Sequence, residues 1–286
     1  MSNVCGSIGE LSVKDFDRIR EHLRRSTGVR FEDKKLTLFR SRLAKRLRIL
    51  GIESYTEYAD YLTKHDPDRK ELGIALNLVT TNLTSFFREA HHFEYLTQSA
   101  IPEILTSARR ERTIRLWSSA CSTGAEPYTL AIVLREALAD HAGWQVEILG
   151  SDINTDVLAH AERGIFSAEE VRGVPDHLLR RHFQRGTGEH ARDYRVHPET
   201  RRLVSFRQIN LLRPWPQFTA SFDCIFCRNV LIYFSPEDQR DVVAAFAARL
   251  RPGGFLMLGH SENVPTRGEL FERLPKTVFR RTARPA

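Results

Sequence analysis

From Thr113 onward, short apolar runs alternate with amphipathic stretches, and no other feature of the chain restricts its fold as much. The runs "TIRLWSSA" and "QVEILGSDIN" have the length and β-branched content of strands, whereas "PYTLAIVLREALAD" and "TDVLAHAERG" repeat apolar residues at helical spacing. Two strands separated by a helix cannot close a hairpin, so the alternation predicts an α/β fold with a parallel, doubly wound sheet. Between about Ile165 and Phe206 the pattern breaks. That stretch is rich in Arg and His, holds the turn-like "RGTGEH" and offers the strand candidates "DYRVHP" and "RLVSFRQ", which together predict an inserted small β-subdomain. The sheet resumes at "FDCIFCRNVLIYF". A helix then starts after Ser235, with Pro236 first and Asp238 completing a capping box, and "RLRPGG" leads into a last strand, "FLMLG".

The N-terminal part reads differently, as a helical domain over about residues 1–85, followed by the α/β domain over 86–286. "SVKDFDRIREHLRRSTG" opens with Ser12 three residues before Asp15, carries Phe16, Ile19 and Leu23 at helical spacing, and stops at Gly28. In "KKLTLFRSRLAKRLRILG", Leu36, Phe39, Leu43, Leu47 and Leu50 share one stripe, and Gly51 ends the helix. Lys35, Arg42, Lys45 and Arg46 gather beside that stripe with few acids among them. A solvated face explains such a cluster, and so does a docking ridge for an acidic partner. Further helices are expected at about Ser54 to Lys64 and Asp68 to Leu78.

A chain of 286 residues with 41% hydrophobic content can bury a sizeable core. It contains no apolar run of about 18 residues, and "MSNVCGSIGE" lacks the layout of a secretion signal, so a cytoplasmic location with no membrane insertion is the expectation. Cys5, Cys121, Cys224 and Cys227 are too few and too scattered for a disulfide framework. The odd separation of Cys224 and Cys227 along a strand points their thiols to opposite faces, against a metal or redox pair. The net charge of +7 admits nucleic acid, an anionic membrane or an acidic protein as partner.

The stretch "LWSSACSTGAEPYTLAI" runs from a strand through a Gly-containing turn into a helix, the usual geometry of a nucleoside site at the carboxyl edge of a sheet. It lacks G-x-G-x-x-G and the Gly-Lys-Ser/Thr of a phosphate loop, and Pro127 removes one of the amides that would greet a phosphate. Glu126 repels a pyrophosphate and attracts a cation. S-adenosylmethionine, with an adenosine, an ammonium, a sulfonium and no phosphate, meets these requirements. Asp152 ends the next strand, where an acid commonly accepts ribose hydroxyls. Taken alone, the turn is also consistent with a plain turn, and Asp152 with a helix cap.

From about Phe16 to Phe279 the chain resembles the chemotaxis receptor glutamate methyltransferases, the CheR family. The blocks "TTNLTSFFREAHHF", "WSSACSTGAEPYTLAI", "SDINTDVL", "INLL", "FDCIFCRNVLIYF" and "LRPGGFLMLGHSEN" carry the resemblance in order. It implies a class I methyltransferase-like, mostly parallel sheet whose last strands are antiparallel, an N-terminal helical domain and the inserted β-subdomain. It also implies S-adenosyl-L-methionine as cofactor, S-adenosyl-L-homocysteine as product and glutamate methyl esters on chemoreceptors as the result. Asn82, Thr84 and Arg88 then lie over the methionine end of the cofactor, while Glu126 and Asp152 hold its polar atoms. Asn210 and Leu211 lie near the adenosine, with Cys227, Arg228 and Asn229 beside it, and Tyr233 faces the transferring methyl. Arg88 and Tyr233 are the candidate catalytic residues, and no metal is implied. The family often has a second acid in the turn where this chain has Ala125.

Arg42, Lys45, Arg46 and Arg48 match family positions that face the receptor helices, although Arg48 lies across the helix from Arg46. In some relatives the β-subdomain grips a peptide at the receptor's C-terminus. Without the resemblance, Asn82 and Thr84 read as caps of a helix starting near Ser85, Phe86 and Phe87 as packing residues, and His91 and His92 as exposed helix positions. His260, Ser261 and Glu262 mimic triad fragments but lack a nucleophile elbow. A nucleic-acid methyltransferase would need a motif such as N-P-P-Y or an activated Cys, and none is present, so no nucleic-acid partner is expected.

Overall fold

The computed structural model describes residues 9–107, 111–264 and 270–282; Cys5 lies outside them. The chain divides into two compact units, Met1–Thr81 and Asn82–Ala286. Asn82 to Ser85, assigned above to the helical domain, therefore belong to the larger unit.

The smaller unit contains α1 (Val13–Thr27), α2 (Leu36–Leu50), α3 (Tyr55–Lys64) and α4 (Lys70–Val79). Ser12 caps α1 by accepting the Asp15 amide, and Gly28 and Gly51 end α1 and α2 in the left-handed conformation that glycine adopts without strain. The apolar stripes meet in a core where Phe16 packs edge-to-face on Phe39 at 5.0 Å, with Leu23, Leu43, Leu47 and Tyr58 fully buried.

The expectation of an unpaired basic ridge on α2 is corrected at Arg46. Glu71, buried on α4, receives Arg46 Nη2 at 2.6 Å and Arg46 Nε at 3.1 Å, and it also accepts the Tyr58 hydroxyl at 2.7 Å. A buried carboxylate needs such compensation, so Arg46 turns inward. Arg42 donates to the carbonyls of Leu78 and Thr80 at the end of α4. Arg42, Lys45 and Arg48 are exposed at successive i, i+3 positions, so the outward basic face includes Arg48 and excludes Arg46.

The larger unit opens with α5 (His91–Tyr95), continues through one π turn into α6 (Ile101–Thr106), and then builds its sheet. Its elements follow as β1 (Thr113–Ser119), α7 (Ala125–Ala137), β2 (Gln145–Asp152), α8 (Thr155–Arg163), β3 (Ile165–Ser167), α9 (Asp176–His182) and β4 (Phe183–Arg185). They continue with β5 (Asp193–Val196), α10 (Pro198–Arg201), β6 (Val204–Gln208), β7 (Phe222–Cys227), α11 (Pro236–Arg249), β8 (Leu250–Leu258), β9 (Phe271–Arg273) and β10 (Val278–Arg281).

The main sheet has the order β6-β2-β1-β7-β8-β10-β9. Its first five strands pair in parallel, and β10 runs antiparallel to both β8 and β9. The strand period of two splits the core between the faces. Leu116, Cys224 and Phe226 join one cluster, and Trp117, Ile225 and Cys227 the other, so the two thiols do point apart.

The predicted insertion is shorter than expected. Only β3, β5 and β4 form the small antiparallel sheet; "RLVSFRQ" supplies β6, which pairs in parallel with β2 at the edge of the main sheet. Val204 and Phe206 alternate toward the main core, and Gly150 on β2 lets the Phe206 ring approach to where a Cβ would stand at 2.7 Å. No helix among the described residues is long and apolar enough to cross a membrane.

Candidate active site

The chain leaves β1 toward β2 and β6 on one side and returns to β7 on the other, so the strand order reverses between β1 and β7. Ligands of open α/β sheets bind at the carboxyl edge of such a reversal. Unusual backbone gathers there: Ala120 (φ 86°) and Ser122 (φ 50°) follow β1, Asn229 (φ 59°) follows β7, and Phe87 (φ 55°) and Glu89 (φ 57°) lie in the segment before α5. Left-handed backbone costs a non-glycine residue about 1 kcal/mol or more, so surrounding bonds must hold it.

For the β1 turn those bonds come from β2. The amides of Ala120 and Cys121 donate to the Ser151 carbonyl at 2.7 and 2.8 Å, and the Ser122 amide donates to Asp152 Oδ2 at 2.9 Å. Gly124, at φ 93°, closes the turn where a Cβ would stand 2.8 Å from that of Ala161. Asp152 Oδ1 also accepts the Asn154 amide, and it is Asn154, not Asp152, that caps α8. Burial pushes the Asp152 carboxyl up, against the lowering effect of these amides.

Glu126 lies on the first turn of α7, buried, and is not a lone negative charge. Its Oε1 accepts the Ser118 hydroxyl and its Oε2 accepts Arg228 Nε, both at 2.6 Å. Arg228, from the end of β7, also donates through Nη1 to the Arg88 carbonyl at 2.7 Å and meets His92 Nδ1 at 3.2 Å. His92 Nε2 faces the Lys276 carbonyl at 3.0 Å. A carbonyl only accepts and a guanidinium only donates, so the His92 proton sits on Nε2 and the ring is neutral. Burial first, then the neighbouring Arg228 cation, lower the pKa of His92 to about 4. The expectation of an exposed His92 is thus wrong: it is fully buried, sharing the inward face of α5 with Phe93.

The β7 turn is fixed from beneath by Glu262. Its carboxylate accepts the amides of Asn229, Val230, Leu231 and Gly259 at 2.7 to 2.9 Å. Burial pushes its pKa up although these donors oppose the shift. Glu262 is therefore a structural anchor, and His260, 70% exposed in its side chain, reaches Glu89 at 3.2 Å instead. Asn229 Nδ2 meets the same carboxylate at 3.3 Å.

Of the other expected residues, Asn82 and Thr84 lie in an irregular segment outside any helix or strand. The helix expected near Ser85 does not form, and turns occupy residues 86–90. The Asn82 carbonyl accepts the Ser122 hydroxyl at 2.8 Å, which ties this segment to the β1 turn, and Arg88 Nη1 donates to the Leu83 carbonyl. Asn210 Oδ1 accepts the Leu212 amide in the turn after β6, and Leu211 is buried. Cys227 ends β7, fully buried, with its thiol pushed well up by burial. Tyr233 is half-buried on a 3-10 turn (Leu231–Tyr233) against the cluster around Trp117.

The contacts bring Asn82, Arg88, Glu126, Asp152, Arg228 and Asn229 into one hydrogen-bonded surround. Glu89, His92 and Glu262 belong to it and were not expected from sequence. For His92 the signal was present, since it, Phe93 and Leu96 continue one apolar face; for Glu262 none was, because three of its amide partners, Asn229, Val230 and Leu231, come from the distant β7 turn.

A carboxyl edge at the strand-order reversal, with acids where a phosphate loop has cations, is the arrangement of a class I S-adenosylmethionine-dependent methyltransferase. The residues fit that cofactor. The bonds to Asp152 come from backbone amides and leave acceptor capacity for a hydroxyl, while no Lys or Arg lies in the β1 turn.

Residues 82–280 match the family described as CheR methyltransferase, SAM binding domain, and residues 14–80 match CheR methyltransferase, all-alpha domain. The chain is 42% identical over 266 residues to chemotaxis protein methyltransferase 2 of Pseudomonas aeruginosa, covering 93% of this chain and 92% of that one. It is 39% identical to the chemotaxis protein methyltransferase of Salmonella typhimurium (94% and 90% covered) and 38% identical to that of Escherichia coli (94% and 91%). The chain belongs to the CheR methyltransferase family.

Proposed function

We propose that the protein transfers the methyl group of S-adenosylmethionine to side-chain carboxylates of chemoreceptor glutamates, forming methyl esters. The observation that carries this reading is the state of the ionisable groups around the crevice. His92 has both nitrogens engaged and stays neutral, and the thiols of Cys121 and Cys227 are pushed well up by burial. None of these three is poised to take a proton. An acceptor that is already an anion at neutral pH needs no such help, and a glutamate carboxylate, with a pKa of about 4.3, is one.

When bound, the cofactor supplies a methyl group on a sulfonium, activated for in-line displacement. The chain's contribution is placement, which lowers a barrier by several kcal/mol when reacting groups are held in line. Asp152 would accept hydrogen bonds from ribose hydroxyls, with Asn210, Leu211, Cys227 and Asn229 beside the adenosine. Asn82, Thr84 and Arg88 would cover the methionine end, where the Arg88 guanidinium would orient the cofactor carboxylate by a charge-assisted bond. Tyr233 shapes the opening through which the acceptor enters. Glu126 and Arg228 hold the β1 turn to the segment around Arg88.

On the smaller unit, Arg42, Lys45 and Arg48 attract acidic receptor helices, while Arg46 maintains the fold of α2 against α4. The partners are thus the methylation helices of chemoreceptors, and the edge of the β3-β5-β4 sheet is suited to a receptor C-terminal peptide adding as a strand. This chemistry belongs in the cytoplasm.

The test is incubation with methyl-labelled cofactor and a receptor cytoplasmic fragment, followed by mild base. Volatile labelled methanol is the expected result, because carboxyl esters hydrolyse there. Label that stays fixed to the fragment would refute ester formation.

A further inference from the structure

The stretch after Arg88 holds three metal-ligating side chains for which methyl transfer supplies no use: Glu89, His91 and His92. One ligand atom of each lies within 4.8 Å of the other two. Glu89 stands at φ 57° just before α5, and its Oε2 faces His92 Nδ1 at 3.6 Å. A tetrahedral zinc ion, with bonds of about 2.0 to 2.1 Å, spaces its ligand atoms about 3.3 Å apart, so this pair already stands near the required separation. His91 is half-buried beside them, its ring centroid 4.1 Å from that of His92.

The two oxygens of Glu89 are used unequally. Oε1 accepts Asn229 Nδ2 at 3.3 Å and meets His260 Nδ1 at 3.2 Å. Oε2 is buried and has no hydrogen-bond partner among the described residues. An unsatisfied buried carboxylate oxygen is costly, and a cation seated against it removes that cost.

His92 has the complementary form. Its Nε2–H points at the Lys276 carbonyl at 3.0 Å, which leaves the lone pair on Nδ1, the nitrogen facing Glu89. A ring N–H held by a backbone carbonyl is the usual orientation of a metal-ligating histidine. Nδ1 accepts Arg228 Nη1 at 3.2 Å, and that guanidinium is also 3.7 Å from Glu89 Oε2. Arg228 makes shorter bonds to Glu126 at 2.6 Å and to the Arg88 carbonyl at 2.7 Å, so it can release Nδ1 and stay anchored. Two carboxylates, Glu89 and Glu126, face this single guanidinium, which leaves one net negative charge for an incoming dication.

We propose that Glu89, His91 and His92 form a binding site for a zinc-class dication, through one carboxylate oxygen, two imidazole nitrogens and a water. This mixed nitrogen and oxygen set suits Zn²⁺ or Co²⁺, whereas Mg²⁺ and Ca²⁺ take oxygen ligands. The site does not depend on the acceptor assigned above.

The test is calorimetry of the chelator-treated full chain with zinc chloride, with Co²⁺ absorption as a second readout because tetrahedral cobalt has intense visible bands. One ion per chain should bind saturably, and Mg²⁺ should not compete. E89Q and H91N should each weaken zinc binding about tenfold or more. H190N, at a histidine whose side chain is 79% exposed, should leave it unchanged. A urea midpoint for each variant checks its fold; should E89Q lower it, H91N decides alone. No saturable zinc uptake, competition by Mg²⁺, or wild-type zinc affinity in H91N overturns the proposal. An equal loss in H190N assigns the zinc to adventitious surface histidines and overturns it as well.

Discussion

Acidification should loosen the larger unit through His92, and the size of the effect follows from its surroundings. The ring is enclosed by Arg228, His91, Glu89, the Lys276 carbonyl and the Thr277 hydroxyl. Its pKa falls from 6.5 to about 4, with burial the largest cause and the Arg228 cation next. The native state therefore refuses a proton that the unfolded chain accepts, so stability rises with pH across this window. The contribution is fully present above pH 6.5 and is lost as pH falls toward 4. A shift of this size corresponds to about 3 kcal/mol at most. With a urea m-value of about 2 kcal/mol/M, that is a midpoint shift of about 1.5 M.

All three tryptophans, Trp117, Trp144 and Trp215, lie in the larger unit, so their fluorescence reports its unfolding alone. Asp152 and Glu262, raised by burial, act with the opposite sign, so the quantity to measure is the difference between wild type and H92Q. H92Q should start less stable at pH 7 and converge on wild type toward pH 4. Parallel curves for the two proteins between pH 7 and 4 would refute the assignment of a buried neutral imidazole.

The buried Arg228–Glu126 pair gives a second expectation. R228M should cost about 3–5 kcal/mol by leaving a carboxylate unpaired, and the R228M/E126Q double variant should recover at least about 2 kcal/mol of it in a urea double-mutant cycle. R88A should weaken cofactor binding or turnover about tenfold, the loss of one charge-assisted bond; wild-type kinetics would remove Arg88 from the site. D152A should reduce cofactor affinity by about tenfold or more, and D152N by less because it keeps one acceptor, as calorimetry can measure.

What was legible in the sequence were the features written in local pattern. Strand–helix alternation predicts the parallel sheet, Ser12 and Ser235 announce helix starts, and the odd spacing of Cys224 and Cys227 places their thiols on opposite faces. What local pattern does not carry is pairing between distant residues. Arg228 meets Glu126, His92 and the Arg88 carbonyl across separations of 102, 136 and 140 residues, and Arg46 meets Glu71 across 25. A helical wheel of α2 shows five cations, Arg40, Arg42, Lys45, Arg46 and Arg48, and cannot show that the Glu71 carboxylate of α4 claims Arg46. The strand "RLVSFRQ" was recognised, but its membership of the main sheet depends on Gly150 admitting the Phe206 ring, a contact between segments 56 residues apart.

These distant pairings change how charge is distributed in the crevice. The acid that drew attention in the turn, Glu126, is neutralised by Arg228 and bonded by Ser118, so its role is to brace the turn rather than to present a negative field. The partners of Asp152 among the described residues are backbone amides, which orient a carboxylate without supplying an opposite charge. A cationic ligand approaching the carboxyl edge would therefore meet its attraction at Asp152, at the end of β2. The Glu126–Arg228 pair, by contrast, is charge-balanced and adds little net field at the start of α7. Under the proposed function, Asp152 would attract a cationic cofactor, while the charge-balanced Glu126–Arg228 pair would hold the turn in place without opposing loss of the methyl group.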